Sequence, residues 1–586
     1  MRWNLDDLYP AITSEAFQAD ARAVDTLAAG FTAWSRTLGQ GEPTAALREG
    51  IGLLERFHLV FLRTVTYASL LSAVDTGDTA AQAELEKLMT KRAALVGGIV
   101  ALRKYLQGLG EGLDALTQSE QLKPYAFFLK ENQQQAAHML GDEVEQALSL
   151  LEITGSQAWS QLHSTLTSTV SVDYALGDDR RTMTLPMVRN LASDPDPAVR
   201  RAAYEAELAC YPKIEKAGVA ALNSIKGEVL TKCRMRGFAS PLDQTLFYAR
   251  MDRATLEAML GAMEQRLDVF RMYLKAKARL LGKPALPFYD MFAPVGNVSR
   301  RYTLEQARDF LVTALAGFDP ALSAFVERAF REQWMDTEPR EGKQGGAFCA
   351  GVHAIGQSRI LSNFDGSYGE VLTLAHELGH AWHGECLREE SVLNTDYPMQ
   401  LAETASTFNE LLVNGEAMKK AEGLELLGLL DADLDTATQV VVDILSRYYF
   451  ETEVFRRREA GVLSAQDCKD IMLDAQRRAY GDGLDPEALH PYMWLCKGHY
   501  YGQPDFYNWP YAFGLLFALG LYGVYQQRGP AFAADYRNLL RMTGSADTAA
   551  VGAAAGVDVR DRGFWLQSLG VLEQRARRFA ELTERA

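Results

Sequence analysis

Apolar residues recur at three- and four-residue intervals over most of the chain, the spacing that lines one face of an α-helix. After Ser14, placed to cap a first turn, Phe17, Ala21, Val24, Ala28, Phe31 and Trp34 keep this period until Gly39. A second amphipathic stretch, about 44–74, carries Leu47, Ile51, Leu54, Phe57, Phe61 and Leu71, and a third follows the Thr76-Gly77-Asp78 turn to about Tyr105. The same period continues to about residue 165 and predicts a helical bundle over the first quarter of the chain. The pattern then switches. Val170, Val172 and Tyr174 alternate, Gly177-Asp178-Asp179 turns the chain, and Met183 and Leu185 alternate again, which predicts a β-hairpin near 168–186. Ser193-Asp194-Pro195-Asp196-Pro197 breaks the chain and sets a soft boundary between an N-terminal helical domain, 1–195, and a second domain, 196–586. Beyond it, helices are predicted at about 197–235, 252–282, 303–333 and 367–386, with short strands at 345–351 and 358–364. The longest apolar run, 513–525, is 13 residues, too short to span a bilayer and suited to a buried helix. The expectation is a mainly α chain with a small β-sheet next to the helix at 367–386.

That helix carries the chemistry. Residues 371–383 read VLTLAHELGHAWH and place His376, Glu377 and His380 in HExxH order. Four residues apart on a helix, two imidazoles share a face and can hold one zinc ion, and Glu377 can then act as general base toward water activated by the ion. Val371, Leu372, Leu374, Ala375, Leu378 and Ala381 make the segment a buried helix, begun by a capping box of Ser367 and Glu370. Burying two histidines and a glutamate without partners would cost on the order of several kcal/mol, which weighs against a plain core segment. Catalytic zinc takes three protein ligands and keeps one open position. Cys386 stands where a metzincin carries its third histidine, so that class is excluded. The segment LAETASTFNELL, 401–412, reads as a helix with Glu403 and Glu410 on one face. Glu403 is the expected third ligand, and Glu410 the expected partner that orients one of the histidines. His383 is left between an orienting role and simple core packing.

Two further stretches could meet a substrate. Gly345, Gly346, Ala347 and Phe348 open the first short strand. Their paired glycines let another backbone approach, so the strand could bind an extended peptide through main-chain hydrogen bonds, or could be an ordinary hairpin. Late in the chain, the glycine- and aromatic-rich stretch 498–511 offers His499, Tyr507 and Tyr511 as donors to the negative charge that builds on a carbonyl oxygen under attack. An aromatic loop packed on the 513–525 helix is the competing reading.

Composition narrows the partners. A formal charge of −16 and a pI near 5.2 disfavour nucleic acid and anionic membranes. Six cysteines without CxxC spacing fit reduced thiols, and the opening MRWNLDDLYP has neither the basic start nor the apolar core of a signal peptide, so a cytoplasmic location is expected.

HELGHAWH followed by AETASTFNE resembles the thimet-oligopeptidase-like zinc metallopeptidases, and within them the oligoendopeptidase F branch. WNLDDLYP at the start, PDPAVRRAAYEAE from Pro195, GFASPLDQTLFYARM, and GGAFCAG leading into SRILSNF are similar to that branch too, so the likeness spans nearly the whole chain. The resemblance implies one zinc per chain held by His376, His380 and Glu403, Glu377 as general base, and His499, Tyr507 and Tyr511 serving the tetrahedral intermediate. It also implies an elongated, multi-helix zincin-like fold of the gluzincin type, with a deep channel admitting only unstructured oligopeptides, whose internal bonds are cleaved. Domain 196–586 would then be the catalytic one. Gln503-Pro504-Asp505 depart from the more glycine-rich run of the branch. One alternative is a carboxypeptidase or dipeptidyl carboxypeptidase, which needs a fixed cation such as Arg359 or Lys497 for the substrate's terminal carboxylate. Another is a non-catalytic helical peptide-binding protein, against which the intact His376, Glu377, His380 and Glu403 speak. The oligomeric state is not written in the sequence.

Overall fold

A computed structural model describes residues 1–296, 298 and 300–584. The described residues are mainly helical, with two small sheets. One sheet is the expected hairpin of β1 (Ser171–Leu176) and β2 (Asp179–Thr184), with Val172 opposite Met183. Gly177, at φ 59°, supplies the left-handed turn residue. The other sheet runs in the order β3 (Met335–Asp336), β5 (Gln357–Leu361), β4 (Phe348–Val352). Here β3 lies parallel and β4 antiparallel to β5.

The chain forms two compact units, each threaded from three segments: Met1–Met139, Arg300–Glu416 and Val524–Val557 in the first, Leu140–Ser299, Ala417–Gly523 and Asp558–Ala586 in the second. Residue 195, the soft boundary suggested by the sequence, lies inside the second unit.

The first unit begins with α1 (Glu15–Ser35), capped as expected by Ser14, whose side chain accepts from the Phe17 amide. It continues through α2 (Pro43–Val74), α3 (Thr79–Ala93) and α4 (Val96–Leu109). The single helix predicted to reach Tyr105 is therefore two, interrupted where Leu95 turns into the core at 6% exposure. Phe17, Val24 and Phe31 of α1, Leu47, Leu54, Phe57 and Phe61 of α2, and Leu102 and Leu106 of α4 fill one continuous core. Full burial of such a side chain contributes about 1.5–3 kcal/mol. Gly50 lets the two helices meet, because a Cβ there would stand 2.0 Å from the Trp34 ring, and the Trp34 indole donates to the Ala46 carbonyl at 2.9 Å. Among the described residues, α2 is the one helix long and apolar enough to cross a membrane by length and composition. Its Leu47, Leu54, Phe57 and Phe61 are the residues that fill this core.

Other predicted helices also divide. The stretch 197–235 is Pro197–Cys210 and Glu215–Met235 around Pro212, and 252–282 is Arg253–Gln265 and Leu267–Leu280 around Arg266. The stretch 303–333 is Leu304–Ala316 and Pro320–Arg331, and Asp319 caps the second piece just before Pro320 at its first position. The apolar run 513–525 is the middle of Trp509–Arg528, with Phe513, Leu516, Phe517 and Leu521 buried. In the second unit a fully buried ammonium, Lys226, donates to Glu451 and Asp505 at 2.7 Å each, and Asn508 donates to Glu451 at 3.2 Å.

Candidate metal centre

The HExxH segment lies on α5 (Tyr368–Cys386), in which Val371, Leu374, Ala375, Leu378 and Ala381 are buried as their period requires. Ser367 accepts from the Glu370 amide at 3.3 Å, the serine half of the predicted capping box. The segment predicted as one helix over 401–412 is broken at Glu403. A short turn, Met399–Ala402, ends there, and α6 (Thr404–Lys420) begins one residue later. Glu403 nonetheless keeps helical hydrogen bonding, because its carbonyl accepts from the Thr407 amide at 3.0 Å.

Helices α5 and α6 pack unusually close at Gly379. A Cβ there would lie 2.5 Å from both the Ala405 carbonyl oxygen and the Ser406 Cα, so only glycine permits this contact. Asn409 ties the same interface together by donating to the Ala375 carbonyl at 3.3 Å. The consequence is convergence. His376 Nε2 and His380 Nε2 stand 3.1 Å apart, and Glu403 Oε2 stands 3.2 Å from the first and 3.4 Å from the second. Two donors bound tetrahedrally to one zinc ion at roughly 2.0–2.1 Å would be about 3.3 Å apart, so the three side chains fit a shared ion of that kind. Among the described residues, these three side chains form the group that could hold one ion there.

Hydrogen bonds hold the donors in place. Glu410 Oε1 lies 2.6 Å from His376 Nδ1, which turns Nε2 toward Glu403 and His380. Ser406 donates to Glu403 Oε2 at 2.8 Å. Burial works against a charged ring on His376, but the hydrogen bonds and charges of Glu403 and Glu410 outweigh it and push the imidazole up to about 10. Burial would raise Glu403 as well, yet its hydrogen bonds to His376 and His380 hold it well below the usual carboxylate range. Glu377, 6% exposed, is raised by burial, with the two histidines opposing.

The remaining expected residues divide clearly. His383 is fully buried, hydrogen-bonded through Nε2 to Thr543 Oγ1 at 2.7 Å and stacked on Tyr397 at 4.2 Å; it is a core histidine, and burial lowers it to about 3. Of the four residues expected to open a substrate-binding strand, Phe348 alone lies in β4, and Gly345, Gly346 and Ala347 precede it. Gly346 sits at φ 79°, and its carbonyl accepts from Asn363 at 3.0 Å. The strands stop short of the predicted 345 and 364, the first because that φ lies outside the extended region, and Gly356, at φ 60°, closes the hairpin between them. β4 is an edge strand: it pairs with β5 on one side and has no partner strand on the other among the described residues. His499, Tyr507 and Tyr511 lie in the second unit as one aromatic cluster, with ring centroids 5.9, 6.3 and 5.5 Å apart. Burial lowers His499. Arg359 is committed elsewhere: fully buried, it donates to the Asn4 carbonyl at 2.8 Å and pairs with Asp7 at 3.3 Å. Lys497 is half-buried in the second unit. Sequence reasoning missed Ser406, Gly379 and Asn409. Ser406 could have been found from its three-residue offset to Glu403, which puts both on one helical face.

A mainly helical scaffold thus brings two histidines of one helix and the glutamate that directly precedes the next helix onto one point. The chain belongs to peptidase family M3, whose model matches residues 190–571, and the family model described as Oligopeptidase F matches residues 110–171. It is similar to an oligoendopeptidase F homolog of Lactococcus lactis, 25% identical over 70% of each chain. It is also similar to oligopeptidase PepF of Bacillus subtilis, 22% identical over 95% of this chain and 83% of that one. In fold it resembles a protein of known structure from Chlamydophila abortus, with a TM-score of 0.87 at 19% identity over 99% of this chain and 98% of that one. It likewise resembles oligoendopeptidase-F from Enterococcus faecium, with a TM-score of 0.70 at 19% identity over 98% and 99%.

Proposed function

We propose that the chain is a zinc-dependent oligoendopeptidase that hydrolyses internal bonds of short, unstructured peptides, with Glu377 as general base and the catalytic machinery carried by residues 196–586. The observation that supports it most directly is the convergence of His376, His380 and Glu403 at 3.1–3.4 Å, the spacing of three ligands around one zinc. The curated relatives, described as oligoendopeptidases and oligopeptidases, support oligopeptides as the substrate class.

Bound there, zinc would supply Lewis acidity to an attacking water and to the scissile carbonyl. The chain supplies the proton chemistry. Glu377 takes a proton from the water as its oxygen bonds to the carbonyl carbon. It returns that proton to the leaving nitrogen as the C–N bond breaks, so one water and one amide become a carboxylic acid and an amine. A raised carboxyl is better matched to both halves of this exchange than an ordinary one. The free edge of β4, with Gly345, Gly346, Ala347 and Phe348 leading into it, offers main-chain donors and acceptors to an extended peptide, which gives affinity with little sequence preference. The role of His499, Tyr507 and Tyr511 as donors to the carbonyl oxygen is carried by the resemblance alone. With Arg359 bound to the N-terminal segment, one of the two cations that a carboxypeptidase could use is already engaged.

The test is a peptide blocked at both ends with a reporter across an internal bond. The wild-type chain should cleave it, and Glu377→Ala should lose about 10²–10⁴-fold in kcat while retaining zinc. Unchanged hydrolysis in the variant would remove Glu377 from the mechanism, and cleavage confined to free C-termini would replace endopeptidase with carboxypeptidase.

A further inference from the structure

We propose that Ser406 is a positioning residue that fixes which oxygen of Glu403 faces the metal, and thereby sets the affinity and coordination of the site. The inference rests on the zinc reading of His376, His380 and Glu403. Ser406 Oγ lies 2.8 Å from Glu403 Oε2, the same oxygen that faces His376 Nε2 at 3.2 Å and His380 Nε2 at 3.4 Å. A serine hydroxyl has one proton to give. Its two acceptors here are the Glu403 carbonyl at 3.2 Å and the carboxylate at 2.8 Å, and the shorter, charge-assisted bond is the stronger. A carboxylate oxygen carries two in-plane lone pairs, so a hydrogen bond on one leaves the other for an ion.

The need for such a bond follows from the side chain itself. The last torsion of glutamate is broad and nearly two-fold, so an unrestrained carboxylate can offer either oxygen, or both, to a metal. Ser406 removes that freedom. It is fully buried and lies where α5 and α6 touch, with its Cα 2.5 Å from the position a Gly379 Cβ would take. Contact at this depth holds the hydroxyl in place without a long side chain. The spacing is also informative, because Glu403, Ser406 and Glu410 are offset by three and four residues and share one helical face. Glu410 fixes the orientation of His376 through Nδ1, and Ser406 does the equivalent for Glu403 through Oε2. The residue directly before α6 thus supplies a ligand, and one face of α6 orients two of the three.

The experiment uses the full chain stripped of metal and titrated with zinc against a chromophoric chelator, alongside the visible absorption spectrum of the cobalt(II)-substituted protein. Ser406→Ala should bind zinc about 10–100-fold more weakly and give an altered cobalt spectrum, while circular dichroism shows the fold retained. Ser406→Thr, which restores the hydroxyl, should recover both affinity and spectrum. Wild-type affinity and an unaltered cobalt spectrum in Ser406→Ala would overturn the positioning role and leave the proposed function standing. Equal loss in the alanine and threonine variants would also overturn it, by assigning the effect to packing. A wild-type chain that binds no zinc would overturn the proposed function and this inference together.

Discussion

In the second unit Glu451 and Asp505 share the ammonium of Lys226 at 2.7 Å each, and the group is closed by Asn508. In the first unit Glu403 and Glu410 share the imidazole of His376, with His380 and Glu377 beside them. The carboxylates of the Lys226 cluster are buried and those around His376 are partly exposed, and crowding them is unfavourable in both places without compensating positive charge. The first-named cluster contains a permanent cation and is complete as built. The other has only imidazoles, which are cationic only when protonated, and it responds by pushing His376 up to about 10. A proton there stands in for a stronger cation. The contrast separates an ion cluster closed by a lysine from one whose charge balance depends on a titratable ring, which accords with the zinc site proposed above.

The contrast can be broken at its structural end by Lys226→Met. Two buried carboxylates would lose their cation, and urea unfolding should show a loss of about 3–5 kcal/mol. A loss below about 1 kcal/mol would mean that this cluster is not the closed ion group described. A smaller effect is expected at Gly379, where alanine would press a methyl group onto the backbone of Ala405 and Ser406. Gly379→Ala should cost about 1–3 kcal/mol in stability and weaken zinc binding with it, measured by thermal unfolding and chelator competition on the same samples. Retention of both would show that the helices can part without disturbing the donors. The finest probe is pH. Below about 10 the metal-free protein holds a proton on His376, which an incoming ion must displace. Apparent zinc affinity should therefore rise about tenfold per pH unit between about pH 7 and 9, and a flat profile would show that His376 holds no such proton in the metal-free protein.

What the sequence showed and hid follows from the range of each interaction. His376, Glu377 and His380 were legible because a helix alone fixes their geometry, and Glu403 because it lies on the next amphipathic segment. The helix breaks at Leu95, Pro212 and Arg266 were hidden because the apolar period runs on across them, and β3 because two residues make no pattern. His383 is settled by Thr543, 160 residues away, and Arg359 by Asn4, 355 residues away, neither of which local spacing can reveal. Ser406 was only half hidden, because its three-residue offset to Glu403 is local while its burial is not. Its role depends on how closely Gly379 lets two helices approach, which is a property of packing. The three-segment threading of each unit is likewise non-local, and no linker in the sequence marks it.

The most direct test of the account is the metal content of the purified chain, measured together with peptide hydrolysis before removal, after removal and after zinc is restored. The account predicts about one zinc per chain, hydrolysis lost with the metal and regained with zinc, and no stoichiometric zinc in His376→Ala or Glu403→Ala. Full hydrolysis by the wild-type chain after verified metal removal would contradict it.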